Sequence, residues 1–231
     1  MTITEPGNDA RVIAIDGPSG TGKSSVAREV ARRLGAGYLD TGAMYRALTL
    51  AVLTEGLDPA DAGKVAARAE GLVIDITTDP ENHKVFADGR DVTVAIRSVE
   101  VSAAVSAVSA VSAVRRRLVR LQRQLAQGST IVVEGRDIGT VVFPDAPLKI
   151  YLTATPSARA TRRAEQLGVS DPGEMAGLTE SLRRRDDFDT TRVVSPLRPA
   201  PDAVLVDSTD MSEEEVVEAI LAAVTARGRT E

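Results

Sequence analysis

Short apolar runs alternate with longer stretches of helical period along this chain. Residues 11–16 (Arg-Val-Ile-Ala-Ile-Asp), 38–39, 130–133, 148–152 and 203–206 have the length and β-branched content of short buried strands. Between them, 23–34, 43–55, 156–167 and 174–190 read as helices, with Gly35, Gly56 and Gly168 as stops and Thr155-Pro156 as a start. A capping box, Ser212-x-x-Glu215, opens a last helix whose apolar face is Val216, Val217, Ile220, Leu221 and Val224. Residues 60–97 differ in character. A small helix over 60–69 precedes two strand-like runs, 72–76 and 84–87, with turn chemistry at Asp79-Pro80 and at 88–91, so a small antiparallel insertion is expected, with His83 exposed on it. The low-complexity run VSAAVSAVSAVSAV (101–114), followed by RRRLVRLQRQL, predicts one long helix over 98–127, stopped by Gly128. Residues 1–10 read as a disordered tail, leaving 11–231 as a single domain.

Strands alternating with helices predict a mostly parallel sheet covered on both faces, an α/β fold. Ligands of such sheets bind beyond the carboxyl ends of the strands. The informative turns are therefore those after Ile15, Leu39, Val133 and Leu152.

Composition narrows the chemistry. The chain has 231 residues, 43% apolar and 26% charged, which suits one sizeable core. It has no cysteine and one histidine, which disfavours thiolate metal sites, a Cys nucleophile and a Ser-His-Asp triad. No apolar run approaches a membrane span, and the first ten residues lack the plan of a secretory leader, so a soluble cytoplasmic protein is expected. A net charge of -5 argues against general nucleic-acid binding. The basic residues are nonetheless almost all Arg, with only four Lys. Several of the arginines are grouped, and the planar guanidinium suits phosphate and carboxylate partners.

The strongest motif is Gly17-Pro18-Ser19-Gly20-Thr21-Gly22-Lys23-Ser24, a full G-x-x-x-x-G-K-[ST] between a predicted strand and a predicted helix. Its glycines let backbone N–H groups wrap an anion, Lys23 reaches the β/γ-phosphates, and the Ser24 hydroxyl is a ligand for Mg²⁺. No Asn-Lys-x-Asp guanine-reading motif is present, whereas Glu134 at the end of 131–134 leaves an acidic Walker B strand open. Four further groups fall near strand ends: Asp40 to Arg46, Glu134 to Asp137, the helical face Arg159/Arg162/Arg163, and Arg185/Asp189/Arg192 at spacings of four and three.

Together with the phosphate loop, DTGAMYR (40–46), GRDIGTVVFP (135–144) and Arg185-Asp186-Asp187 make the chain resemble the bacterial cytidylate kinases from about residue 11 to 226. The resemblance implies a P-loop nucleoside monophosphate kinase-like fold: a mostly parallel five-stranded sheet flanked by helices, a small antiparallel insertion and a helical lid. It implies transfer of the γ-phosphoryl group of ATP, with Mg²⁺, to CMP or dCMP by a monomer. The acceptor region is expected over about 40–127 and the lid over about 156–170. Carried over by motif, Gly17 to Ser25 would hold ATP, with Lys23 and the lid arginines Arg159, Arg162 and Arg163 catalytic. Arg46 and Arg136 would hold the CMP phosphate, and Asp137 would accept from the cytosine amino group. Arg115, Arg192 and Ser106 would meet the ring acceptors, Ser102 or Ser109 being alternatives to Ser106 because the Val-Ser-Ala repeat blurs the register. Arg185 and Asp189 would meet the ribose, and Thr41 and Tyr45 would line the acceptor site.

Overall fold

Five of the short apolar runs pair into one sheet. The computed structural model describes residues 11–227, so the expected tail over 1–10 lies outside the described residues. Strand β1 (Val12–Asp16) is central, with β6 (Ile131–Gly135) on one side and β7 (Leu148–Thr153) on the other. Next to β6 lies β2 (Gly37–Asp40), and next to β7 lies β8 (Val204–Asp207), giving the order β2-β6-β1-β7-β8. Every pairing is parallel, with Ile15 opposite Glu134 and Ile150 across the two ladders of β1.

Alternation along β1 divides the core. Ile13 and Ile15 meet Val26 and Val30 of α1 (Lys23–Leu34) and Val217 and Ile220 of α8 (Glu213–Arg227). Ala14, Leu39 and Val133 point the other way, toward Met44 and Leu48 of α2 (Thr41–Thr54) and Leu118. Burying a side chain the size of Ile15, which is fully enclosed, is worth about 1.5–3 kcal/mol. The sheet therefore gains from both faces, as its near-continuous apolar strands require.

The insertion is α3 (Ala62–Gly71) followed by β3 (Ile74–Ile76), β4 (Val85–Ala87) and β5 (Arg90–Asp91), an antiparallel three-stranded sheet. It is fastened to the main sheet where the Tyr38 N–H donates to the Thr78 carbonyl at 2.8 Å. His83 is half-buried rather than exposed, because its ring packs on Tyr38 with centroids 5.1 Å apart.

The single helix expected over 98–127 is two: α4 (Val99–Ala110) and α5 (Ser112–Leu125), divided at Val111 with ψ 117°. The apolar pattern explains the break. Val101, Val105 and Val108 form the buried row of α4, and Val114 and Leu118 that of α5. At about 100° per residue, an unbroken helix would point Val114 about 120° away from Val108. Two helices, α6 (Pro156–Leu167) and α7 (Pro172–Thr191), follow β7. The lead-in to α6 is tied twice: Ser208 N–H donates to the Thr153 carbonyl at 2.8 Å, and Thr155 N–H to Thr209 Oγ1 at 3.0 Å. Among the described residues, no helix is long and apolar enough to cross a membrane.

Candidate active site

The glycine-rich loop leaves β1 at Gly17 and enters α1 at Lys23. Gly17 has φ 154°, and a Cβ there would stand 2.0 Å from the Leu152 carbonyl oxygen, so no other residue fits between β1 and β7. At the tip, a Cβ on Gly20 (φ 80°) would lie 3.2 Å from Arg159 Cβ, which seats the loop against α6. Within the loop, Thr21 Oγ1 donates to the Pro18 carbonyl at 3.2 Å and Ser25 Oγ to the Gly22 carbonyl at 3.0 Å. Lys23 is buried, with Nζ 2.6 Å from the Pro18 carbonyl and 3.4 Å from Thr21 Oγ1. Burial first, then the positive charge of Arg136, pushes its pKa down to about 7, while Glu134 opposes the shift.

Behind the loop stands a buried acidic strand end. Glu134 accepts from the Tyr38 hydroxyl at 2.7 Å and from the Ser24 hydroxyl. Burial, reinforced by Asp40, holds its pKa above the usual carboxylate range. Thr41 donates to the Glu134 carbonyl at 2.7 Å, and Asp40 caps α2 by accepting from Ala43 N–H at 3.0 Å. Thr41 thus fixes the end of β6 beside the acceptor residues.

Two groups of charge follow on the acceptor side. In the first, Asp137 is buried and ion-paired with Arg115, with Arg192 at 3.8 Å, and the Arg115 guanidinium lies 5.4 Å over the Tyr45 ring. Burial pushes the Tyr45 pKa up to about 12. Arg115 also donates to the Ser109 carbonyl at 3.3 Å, filling an end of α4 that the break at Val111 exposes. In the second, Arg136 donates to Asp189 at 2.9 Å, Arg192 lies 3.6 Å from Asp189, and Arg46 donates to Ser102 Oγ at 2.9 Å and to the Ile96 carbonyl at 3.1 Å. Burial, with Arg136 and Arg46 adding repulsion, pushes the Arg185 pKa down to about 9, and its buried Nε has no hydrogen-bond partner. Three guanidinium groups that repel one another, with donors to spare, fit a phosphate dianion. Ser106 offers its carbonyl to the Ser109 hydroxyl, Ser109 offers its carbonyl to Arg115, and Ser102 meets Arg46 through its hydroxyl.

The three arginines of α6 do not act as one face. Arg159 is buried and donates to the Ser19 carbonyl at 3.0 Å and to Asp186, linking α6, the loop tip and α7. Arg163 donates to Gln166 at 3.3 Å, and its charge adds to those that lower the Arg46 pKa. Arg162 turns the opposite way and donates to Ser208 and to the Met211 carbonyl, at the rim of a cavity of about 250 Å³ lined by Thr21, Gly22, Ser25 and Val216 among others. It corrects the expectation of three equivalent arginines. By spacing Arg162 lies only about 60° round the helix from Arg159, so it is the hydrogen bonds to Ser208 and Met211, not the helix phase, that hold its guanidinium on the α8 side.

Arg136 and Arg185 both lower the Lys23 pKa, so these two charges lie near the phosphate loop. Sequence reasoning gave no role to Asp186, which accepts from Arg159 and from Ser19 N–H at 3.4 Å, or to Asp16, whose carboxylate is bound by the turn after Asp137. A signal existed for Asp16, because an acid closing a fully apolar strand needs a buried partner.

Comparison with known proteins bears on the same residues. The family model described as cytidylate kinase matches residues 13–226. The chain is 56% identical over 211 residues to a cytidylate kinase of Mycobacterium avium (strain 104), covering 90% of this chain and 92% of that one. It is 55% identical over 218 residues to a cytidylate kinase of Rhodococcus opacus (strain B4), covering 94% and 95%. Among solved structures, a gluconokinase from Sinorhizobium meliloti 1021 is similar at TM-score 0.47 and 18% identity, covering 94% of this chain and 93% of that one. A match that runs from the central strand to the last helix, with more than half of the residues identical to such relatives, makes this chain a member of the cytidylate kinase family.

Proposed function

We propose that the protein transfers the γ-phosphoryl group of ATP to CMP or dCMP, giving ADP and CDP or dCDP. The observation that carries this reading is the buried carboxylate of Asp137 between Arg115 and Arg192, next to the phosphate-fitting arginines and across from the glycine-rich loop. Asp137 accepts from the cytosine amino group, and Arg115 and Arg192 donate to the ring acceptors with the help of Ser106 or Ser102. Uracil presents an acceptor where cytosine has its amino group, so it meets Asp137 oxygen to oxygen. Sites built on such hydrogen bonds discriminate more strongly than apolar pockets. Arg46, Arg136 and Arg185 hold the acceptor phosphate, Asp189 and Arg185 meet the ribose, and Tyr45 closes the site.

On the donor side, Gly17 to Ser25 wrap the phosphates and the cavity beside Arg162 receives the adenosine. The Ser24 hydroxyl, backed by the buried Glu134, fits Mg²⁺, an ion that prefers oxygen ligands. Bound there, the ion would neutralise charge on the β- and γ-phosphates. An acceptor phosphate oxygen forms the new bond to the γ-phosphorus while the bond to the β,γ-bridging oxygen breaks. No base is required, because the acceptor is already anionic and the transition state is loose. Lys23, Arg159 and Arg163 supply positive charge around the migrating group, and α6 with the turn after it serves as the lid over 156–170. The active species is a monomer in the cytoplasm.

A coupled ADP-release assay with AMP, CMP, dCMP, GMP, UMP and no acceptor in parallel tests the reading. Turnover is expected with CMP and dCMP far above the rest. Equal rates with AMP or GMP, or equal rates without acceptor, would refute it.

A further inference from the structure

Asp16 is the last residue of β1 and the residue before the phosphate loop, yet its carboxylate is bound by a different turn. Its two carboxylate oxygens accept separately from Ile138 N–H and Gly139 N–H, each at 2.8 Å. These amides open the π-helical turn Ile138–Val142 that follows Arg136 and Asp137. The turn and the strand end before it are closely packed: a Cβ on Gly139 would lie 3.1 Å from Lys149 and one on Gly135 only 2.6 Å from Thr41 Oγ1.

An ionised carboxylate is an expensive way to satisfy two backbone donors. Asp16 is 4% exposed, and burial, together with the like charge of Asp137, pushes its pKa up to about 6. The titratable groups that face it are Asp137 on the turn, Lys23 on α1 and Tyr151 on β7. What the carboxylate provides is rigidity. With both oxygens engaged, the residues that read the acceptor are fixed to the same strand end that launches the loop holding the donor.

We propose that Asp16 is a positioning residue that keeps the Arg136–Asp137 pair in register with the phosphate loop, setting acceptor affinity and base selectivity without touching either nucleotide. The proposal rests on the cytidylate kinase reading above.

The test compares wild type, Asp16→Asn and Asp16→Ala. Asn keeps one acceptor oxygen, so it should fall between the other two. The expected result for Asp16→Ala is a rise of about tenfold in KM for CMP and a comparable fall in the CMP-to-UMP ratio of kcat/KM, with KM for ATP within about twofold. A purely structural role would lower the melting temperature and leave the CMP-to-UMP ratio alone. That outcome, or an equal rise in KM for ATP, overturns the proposal. If neither variant folds, the wild-type enzyme decides. Cytidine has no phosphate to titrate, so its Kd should weaken from about pH 7.5 to about pH 5.5 in step with the NMR shifts of the Ile138 and Gly139 amides. A flat cytidine affinity while those amides move overturns it. Loss of CMP turnover in wild type would sink the functional reading itself, whereas normal turnover with insensitive Asp16 variants sinks only the positioning role.

Discussion

Lys23 already lies inside the loop, 2.6 Å from the Pro18 carbonyl, and its burial costs more than its contacts return, as its lowered pKa records. Lys23→Ala therefore removes an uncomfortable charge from the folded protein while deleting a main source of positive charge at the phosphates. We expect kcat to fall by about 10³-fold or more with the melting temperature unchanged or raised, as read by a coupled assay and thermal denaturation. Asp137 behaves oppositely. It pairs with both Arg115 and Arg192, so removing its charge leaves buried Arg115 without its ion partner and Arg192 with Asp189 alone, and breaking a buried pair costs about 3–5 kcal/mol. Asp137→Asn should thus melt markedly earlier and lose its CMP-to-UMP preference by about tenfold or more, while KM for ATP holds. An unchanged preference in the folded variant would show that another group reads the base. At this scale the sequence carried the residue types well. Lys23, Arg136 and Asp137 stand in short contiguous motifs. Asp16 signalled that it needed a buried partner but not which one, and Asp186 gave no signal, because their partners lie 122 and 27 residues away and only the fold brings them together.

The elements show what periodicity conveys and what it hides. Strands β1, β6 and β7 were legible because strands buried on both faces must be apolar almost throughout. The division between α4 and α5 was not, since the Val-Ser-Ala run contains no Gly or Pro and every residue in it tolerates a helix. The clue was a change of phase in the valines, which becomes visible once Val108 and Val114 are known to face one core. The break has a simple test. Val111, at φ -68° and ψ 117°, already has the conformation that precedes proline, and Ser112 is the exposed first residue of α5. Ser112→Pro should leave the melting temperature unchanged or raise it slightly. In a continuous helix the same substitution would cost about 3 kcal/mol, enough to lower the melting temperature by several degrees. The π-helical turn over Ile138–Val142 buries Ile138 and Val142, but its shape was not foreshadowed in hydrophobic pattern, because it is also held by polar bonds to its backbone, from Asp16 at its start and Arg123 at its end.

The molecule as a whole is acidic, with a net charge of -5, whereas Arg136 and Arg185 lie near Lys23 and Arg46 in turn lies near Arg136 and Arg163. An anionic acceptor is thus drawn to one place on an otherwise repelling surface. We expect kcat/KM for CMP to fall as ionic strength rises from about 0.01 M to about 0.2 M, and the affinity for uncharged cytidine to stay nearly constant over the same range. Equal salt sensitivity of both would place the attraction elsewhere. The α/β architecture and the side of the sheet that holds the cleft followed from strand–helix alternation, but the splitting of the α6 arginines between two sides depended on how that helix is anchored. Its anchorage has a mechanical consequence. Gly17 presses on the Leu152 carbonyl, and Thr153 is held by the Ser208 amide, so the strand is clamped up to the last residue before Ala154. Thr155 is held in turn by Thr209 Oγ1, so Ala154 lies between two anchored residues, and a swing of α6 would have to bend the chain there and break the Thr155–Thr209 bond, with Arg159 close to that joint and Arg163 farther out along the helix.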